Sequence, residues 1–362
     1  MRLRRSFVCA LGACAVAACS EQQLPPPPAP SIDWASLDRR PAMDAGTGPT
    51  SSELAAAQAY TTALGAGSFA GMAARLDDDA RFAFPGFDDA HGRDAILRMH
   101  EQLLGAFDQR EVTPGRIWRT AREQTVEWTM RGFHARDWLG SAATQKTAVI
   151  RGVALLWTKD DGSITDVHLY FNVAAVRGQL GLGPDGAPLA AKREASTRGD
   201  AGAPRDNVGP GAEPPPSTEA FDQQNSGDEK DEVALYRSSL DALEQNDEAR
   251  YLGSMADDVE IVVPGGVRHW RGKAELRGYY HAMHAAIGQL DTTATDSWGV
   301  GPYAVVEYTI AGVQLGPLEG APAQRDKTVR LHVVDIAEVR GGKIQRVWRY
   351  DDPAELYPHP RG

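Results

Sequence analysis

Of the 362 residues in this chain only three are cysteines, and all three fall before residue 20. Beyond Cys19 there is no thiol, so the rest of the chain can build no disulfide framework, cysteine nucleophile or thiolate zinc site. An excess of positive charge is also missing: Lys and Arg number 38 against 49 Asp and Glu, a formal net charge of -11. A field of that sign repels phosphate backbones and anionic headgroups, so no nucleic-acid partner is expected. There is no Gly-x-Ser-x-Gly elbow and no glycine-rich loop leading into Lys-Ser/Thr, which removes the usual serine-hydrolase and nucleotide readings. Gly181, Gly183 and Gly186 stand at a domain end rather than between strand and helix, so they signal no dinucleotide. The apolar stretch from Phe7 to Ala18 is too short to span a bilayer.

That stretch fits a cleaved signal instead. Arg2, Arg4 and Arg5 precede it as a positive n-region. It ends in Val16-Ala17-Ala18-Cys19, which resembles the bacterial lipobox, an aliphatic residue and two small ones before the cysteine that takes the lipid. The resemblance implies cleavage before Cys19, lipidation of that residue and anchoring to a membrane through the acyl chains. Loss of the three arginines takes the side-chain charge to about -14. Ser20 stands where an Asp would imply retention at the inner membrane, so the expected place is the outer membrane, facing the periplasm.

Composition then divides the chain. Residues 19–50 form a tether in which Pro25 to Pro28 and Pro30 favour extended geometry. A second polar, Gly- and Pro-rich stretch over 184–228 has too few large apolar residues to build a core, and is expected to be disordered. The segments between repeat each other. Glu53–Gly86 and Glu232–Gly265 are equal in length, each running from a helical pattern through an acidic turn into an alternating strand that ends in Pro-Gly. From Gly92 and Gly272 onward the copies stay in step at an offset of 180, pairing Trp118 with Trp298, Glu127 with Glu307 and Tyr170 with Tyr350. This is a tandem duplication, with a first domain over 51–183 and a second over 229–358.

Each copy reads helix, strand, helix, then several long strands. Arg93–Phe107 and Lys273–Ile287 carry apolar residues at helical spacing, and the β-branched, aromatic-rich segments that follow read as strands. Asp160-Asp161-Gly162 and Arg340-Gly341-Gly342 supply hairpin turns. The expected fold class is α+β: two cone-shaped domains, each a curved, mainly antiparallel sheet wrapped around its N-terminal helices. Such a cone can enclose an apolar cavity.

The segment MRGFHARDWLGSAATQKTAVIRGVALLWTKDDGSITDVHLYFNVAAVRGQLGL in copy one, and Gly341-Gly342-Lys343-Ile344 with Tyr350-Asp351-Asp352 in copy two, resemble the SnoaL-like polyketide cyclases. These belong to the wider fold named after nuclear transport factor 2. The resemblance implies an acid or base at the end of the last strand, facing the pocket, and a histidine on an earlier strand. The matching positions are Asn172 and His134 in copy one, Asp352 and Gln314 in copy two, so neither copy holds the full pair. Copy two also replaces the Gln179-Leu180-Gly181 tail with Leu356-Tyr357-Pro358.

Two functions follow. The preferred one is a lipid-anchored binding protein for a small apolar or carbonyl-containing ligand, its pockets lined by Trp118, Trp128, Tyr170, Asn172, Trp298, Tyr308 and Gln314. The alternative is a cofactor-independent lyase, isomerase or cyclase acting through copy two. There Asp352 would be acid or base, Tyr350 would sit on the same strand face at i, i+2, and His134 would be a further candidate. No cofactor is expected. No metal is expected either: His281 and His284 share a helix face but lack a third ligand. The domains are expected to pair within the chain or to form a homodimer.

Overall fold

The structure, a computed structural model, describes residues 55–66, 69–183, 186–189, 219–265, 268–318 and 327–356. The signal segment 1–18, Cys19, the tether 19–50 and most of the 184–228 linker lie outside the described residues.

The first half runs α1 (Ala55–Gly65), α2 (Ala70–Ala73), β1 (Leu76–Ala83), β2 (Ala90–His91), α3 (Arg93–Leu104), β3 (Phe107–Arg119), β4 (Glu123–His134), β5 (Thr147–Thr158), β6 (Ile164–Phe171) and α4 (Val173–Leu180). The second runs β7 (Ala220–Asp222), α5 (Gly227–Glu244), α6 (Glu248–Ser254), β8 (Met255–Val262), β9 (His269–Arg271), α7 (Gly272–Ala286), β10 (Ile287–Val300), β11 (Tyr303–Gln314), β12 (Thr328–Arg340) and β13 (Lys343–Asp351). A 3₁₀ turn over Pro353–Leu356 follows. The helices form where apolar residues recur on one face. In α3 these are Ile96, Leu103 and Leu104, and in α7 Leu276, Tyr279, Tyr280 and Met283. Helix α5 is started by a capping box between Ser226 and Glu229, which satisfies two amides of its first turn.

Each half builds one curved sheet around its helices, in the order β2-β1-β6-β5-β4-β3-β7 and β10-β11-β12-β13-β8-β9. The long strands pair antiparallel, while β1 joins β6 and β8 joins β13 in parallel. The fold is the expected pair of α+β cones. The linker reading needs one correction. Residues 220–222 form β7, which pairs in parallel with β3 and so belongs to the sheet of the first half. Phe221 anchors it there, stacked on Trp118 and tilted against Tyr303.

The central strands have two buried faces over most of their length, because one face covers helices and the other meets the second sheet. In β6, Leu169 and Phe171 enter the first cone while Tyr170 faces the other half. In β13, Val347 enters the second cone while Trp348 and Tyr350 face the first half. Apolar side chains from both sheets, among them Trp118, Val153, Leu155, Val305, Val334 and Ile336, form one continuous cluster between them.

Two buried carboxylates cross this cluster in a reciprocal arrangement. The Tyr170 hydroxyl donates to Glu307 at 2.6 Å, and the Tyr350 hydroxyl donates to Glu127 at 2.6 Å. The other partners differ. Glu127 takes a two-pronged hydrogen bond from Arg116, at 2.5 Å to each oxygen, and that guanidinium lies 3.7 Å over the Trp348 ring. Burial alone would lower the pKa of Arg116, but Glu127 overrides it and raises it. Glu307 instead meets His168 at 2.7 Å and the Thr295 hydroxyl at 3.3 Å. Burial opposes its ionisation, and the His168 and Tyr170 contacts outweigh that and hold its pKa below the usual carboxylate value.

Candidate functional site

The same alternation decides where the expected site residues go. Tyr350 on β13 turns toward the first half, not the cone interior, and Asp352, one residue beyond the strand, meets the Ala174 amide of the first half. Tyr350 is committed to Glu127. This corrects the expectation that both line a pocket: period two fixes which residues travel together, and only packing fixes which side they take. Trp118, Tyr170 and Trp298 lie in the cluster between the sheets for the same reason.

Trp128 and His134 lie in the first cone, and the other candidates are tied up locally. Trp128 has its indole seated over Gly152, where an added Cβ would fall 2.4 Å from the ring. His134 is fully buried beside Phe107 and Trp138; its Nδ1 accepts from the Thr144 amide at 3.1 Å, and burial lowers its pKa. Asn172 is the N-cap of α4 and accepts from the Ala175 amide at 2.7 Å. Gln314 donates to the Gly316 carbonyl at 3.0 Å. His281 lies 3.3 Å from Glu248 and His284 packs on the Tyr280 ring. Among the described residues no three potential ligands gather around a common point.

Tyr308 enters the second cone and leads to a cluster that the sequence reading missed. Its hydroxyl donates to Asp335 at 2.7 Å, and Tyr236 donates to the same oxygen. Arg349, directly across from Asp335 in the β12–β13 ladder, donates to both carboxylate oxygens at 3.0 and 2.7 Å. It also donates to Tyr308 at 2.9 Å and to Tyr279 at 2.5 Å. Asp335 is wholly buried. Burial would lower the pKa of Arg349, but Asp335 and the tyrosine oxygens raise it well above its ordinary value. Desolvation raises the three tyrosines and keeps them neutral donors. The first cone holds Ala154 and Leu169 at the matching ladder position, and no such cluster. A signal for it was present: one Asp in the apolar run Val333-Val334-Asp335-Ile336-Ala337, and one Arg in Val347-Trp348-Arg349.

Tyr279 carries this cluster to the mouth of the cone. There a cleft of about 440 Å³ opens between α7 and the segments at Arg268–Trp270 and Pro317–Leu318. Trp270, Tyr279, Met283 and Leu318 make its walls mostly apolar and aromatic, with Arg268 and Glu275 as its charged groups. The Trp270 and Tyr279 rings lie 4.8 Å apart, and Arg268 is fixed from behind by Asp351 at 2.7 Å. The tyrosines and the ion pair lie beneath it. A second, more polar cleft of about 400 Å³ lies between Asn225–Val233 and Ser297–Gly299.

Asp352 sits apart from both. Its side chain is buried, and one oxygen accepts from the Ala354 amide at 3.0 Å and from the Ala174 amide of the first half at 3.3 Å. The other oxygen has no hydrogen-bond partner among the described residues. Burial pushes its pKa up to about 8, against the pull of the two amides and with the help of Glu355 and Asp351.

The architecture of each half, a curved sheet wrapped around helices, is that of a SnoaL-like domain. The family model for that domain matches residues 57–167 and 236–347, more than half of the chain, and the chain belongs to the SnoaL-like family. Among solved structures it is similar to TsrD from Streptomyces laurentii (22% identity, 37% of this chain and 97% of that one, TM-score 0.33). It is also similar to a candidate SnoaL-like polyketide cyclase from Jannaschia sp. CCS1 (15%, 38% and 96%, TM-score 0.35). An LEH-like epoxide hydrolase from M. tuberculosis aligns as well (20%, 36% and 89%, TM-score 0.30). No curated protein matches the chain.

Proposed function

We propose that this chain is an extracytoplasmic, lipid-anchored binding protein that takes a small apolar or carbonyl-containing ligand in the cleft of its second half. The observation that carries the reading is the combination at the cone mouth: aromatic and thioether walls, with one tyrosine backed by a buried Arg–Asp pair. Apolar walls supply affinity, and a few fixed polar groups orient the ligand. The Tyr279 oxygen already accepts from Arg349, so its own hydrogen is what it offers an acceptor such as a carbonyl. The first half serves as the counter-sheet that buries the back of the second. Cys19 is the anchor in this reading, placing both domains on the periplasmic side of the outer membrane.

The lyase, isomerase or cyclase alternative routed through Asp352 gains no support from the geometry, since that carboxyl faces the first half and not the cleft. The binding reading is tested by titrating the protein with a panel of aromatic ketones and phenols while following tryptophan fluorescence. Saturable quenching that Trp270→Ala abolishes and Tyr279→Phe weakens about tenfold is expected. No saturation by any member, or binding indifferent to both changes, would sink it.

A further inference from the structure

The junction between the halves holds one titratable group in an unusual setting. Pro353–Leu356 closes the second half, yet Ala354 within it is fully buried in the core of the first. The turn packs against α4, and the link between them is a single carboxyl oxygen of Asp352, shared by the amides of Ala174 and Ala354. Asn172, at the matching position of the first half, is a side chain that cannot ionise. The second Asp352 oxygen is buried without a partner among the described residues.

We propose that Asp352 is a pH-operated latch: protonated, it pins the C-terminal turn of the second half into the first, and ionised, it loosens that junction. The surroundings give a negative charge little welcome. From its own strand it faces Asp351, whose countercharge Arg268 is already engaged at 2.7 Å. From the turn it faces Glu355, which is held by His332 of β12 at 3.2 Å. Lys327 donates to the Leu356 carbonyl at the far end of the turn. From α4 comes the Ala174 amide. An ionised oxygen there needs water, and water reaches it when the turn parts from α4.

Burial raises the folded-state pKa above the unfolded value, so between roughly pH 4 and 8 the unfolded chain releases a proton that the folded chain keeps. Stability at this junction is full below that window and falls as pH rises through it. Hydrogen exchange of the intact chain at pH 6 and pH 9, corrected for intrinsic rates, reads the latch directly. Protection of the Ala174 and Ala354 amides should fall at least tenfold at pH 9, while that of Leu103 in α3 stays constant. In Asp352→Asn both amides should keep their protection at pH 9. Equal protection at both pH values, an equal fall at Leu103, or an Asp352→Asn variant with the same fall would overturn the proposal. Should that variant not fold, the wild-type comparison of Ala174 with Leu103 decides alone.

Discussion

The two halves share an ancestor and a fold, yet their interiors have taken opposite solutions. In the first, Trp128 lies over Gly152, and Ala154 faces Leu169 across the ladder, so this stretch of the cone is apolar. In the second, Tyr308 replaces the indole, and Asp335 faces Arg349. A buried ion pair is weak evidence for stability, because an apolar pair of similar size often does as well. The first half demonstrates the apolar version on the same scaffold. Retaining the charged version only where a cleft opens above it argues that it serves the cleft.

That contrast can be broken most severely at Arg349. Arg349→Leu gives the second half the residue found in the first but strands Asp335 as a buried, unpaired carboxylate. A loss of about 3–5 kcal/mol in urea unfolding is expected. The double change Asp335→Ala with Arg349→Leu, which installs the whole apolar pair, should recover most of it. A double variant as unstable as the single one would mean that the second cone cannot accept the interior of the first.

A smaller effect separates the halves by acid. His100 is wholly buried in the first cone, hydrogen-bonded to Tyr60 at 3.0 Å, and burial lowers its pKa to about 4; the matching residue of the second half is Tyr280. Its folded-state pKa lies below the unfolded one, so as pH falls from about 6.5 to 4 the unfolded chain takes up a proton first. Stability is therefore lost in that window, by up to about 3 kcal/mol. Urea midpoints measured from pH 7 to 4 should show the loss in the wild type and a shallower slope in His100→Gln.

Gly152→Ala should then cost about 1–3 kcal/mol by driving a methyl group into the Trp128 ring. Val333, at the matching place beneath Tyr308, should lose about 2 kcal/mol in Val333→Ala, through a cavity instead of a clash. The mildest tests are Tyr170→Phe and Tyr350→Phe, each leaving one carboxylate short of a hydrogen bond, for about 1–2 kcal/mol. The loss should be greater for Tyr170→Phe, because Glu307 lacks the two-pronged arginine that holds Glu127. Equal losses would show that His168 and Thr295 match Arg116 as partners.

Much of the fold was legible because duplication wrote it twice. The shared offset from Gly92 and Gly272, the helical spacing in α3 and α7 and the hairpin turns all locate real elements. The candidate site was much less legible, for a definite reason. Both faces of β6 and β13 are buried, so the usual polar-outside signal that orients a strand is missing, and Tyr350 with Asp352 could not be told from Arg349 with Asp351. Trp118 and Trp298 were ambiguous in the same way. The overlooked cue was charge in the wrong company, since Asp335 within a run of valine and isoleucine needs a partner, and Arg349 is the nearest one on the paired strand. Short β7 could not be foreseen, as Ala220-Phe221-Asp222 draws its register from Trp118 and Arg119 on a distant strand.

That strand has a consequence for how the molecule is made. A ribosome releases Trp118, Val153, Leu155 and Tyr170 long before Phe221 or any of the second sheet exists. Until then the nascent first half presents a broad greasy surface and a lone Glu127–Arg116 couple to its surroundings. Chain synthesis therefore passes through a stage at which self-association competes with completion. Strand β7 begins to end the exposure by covering Trp118, and the second sheet completes it.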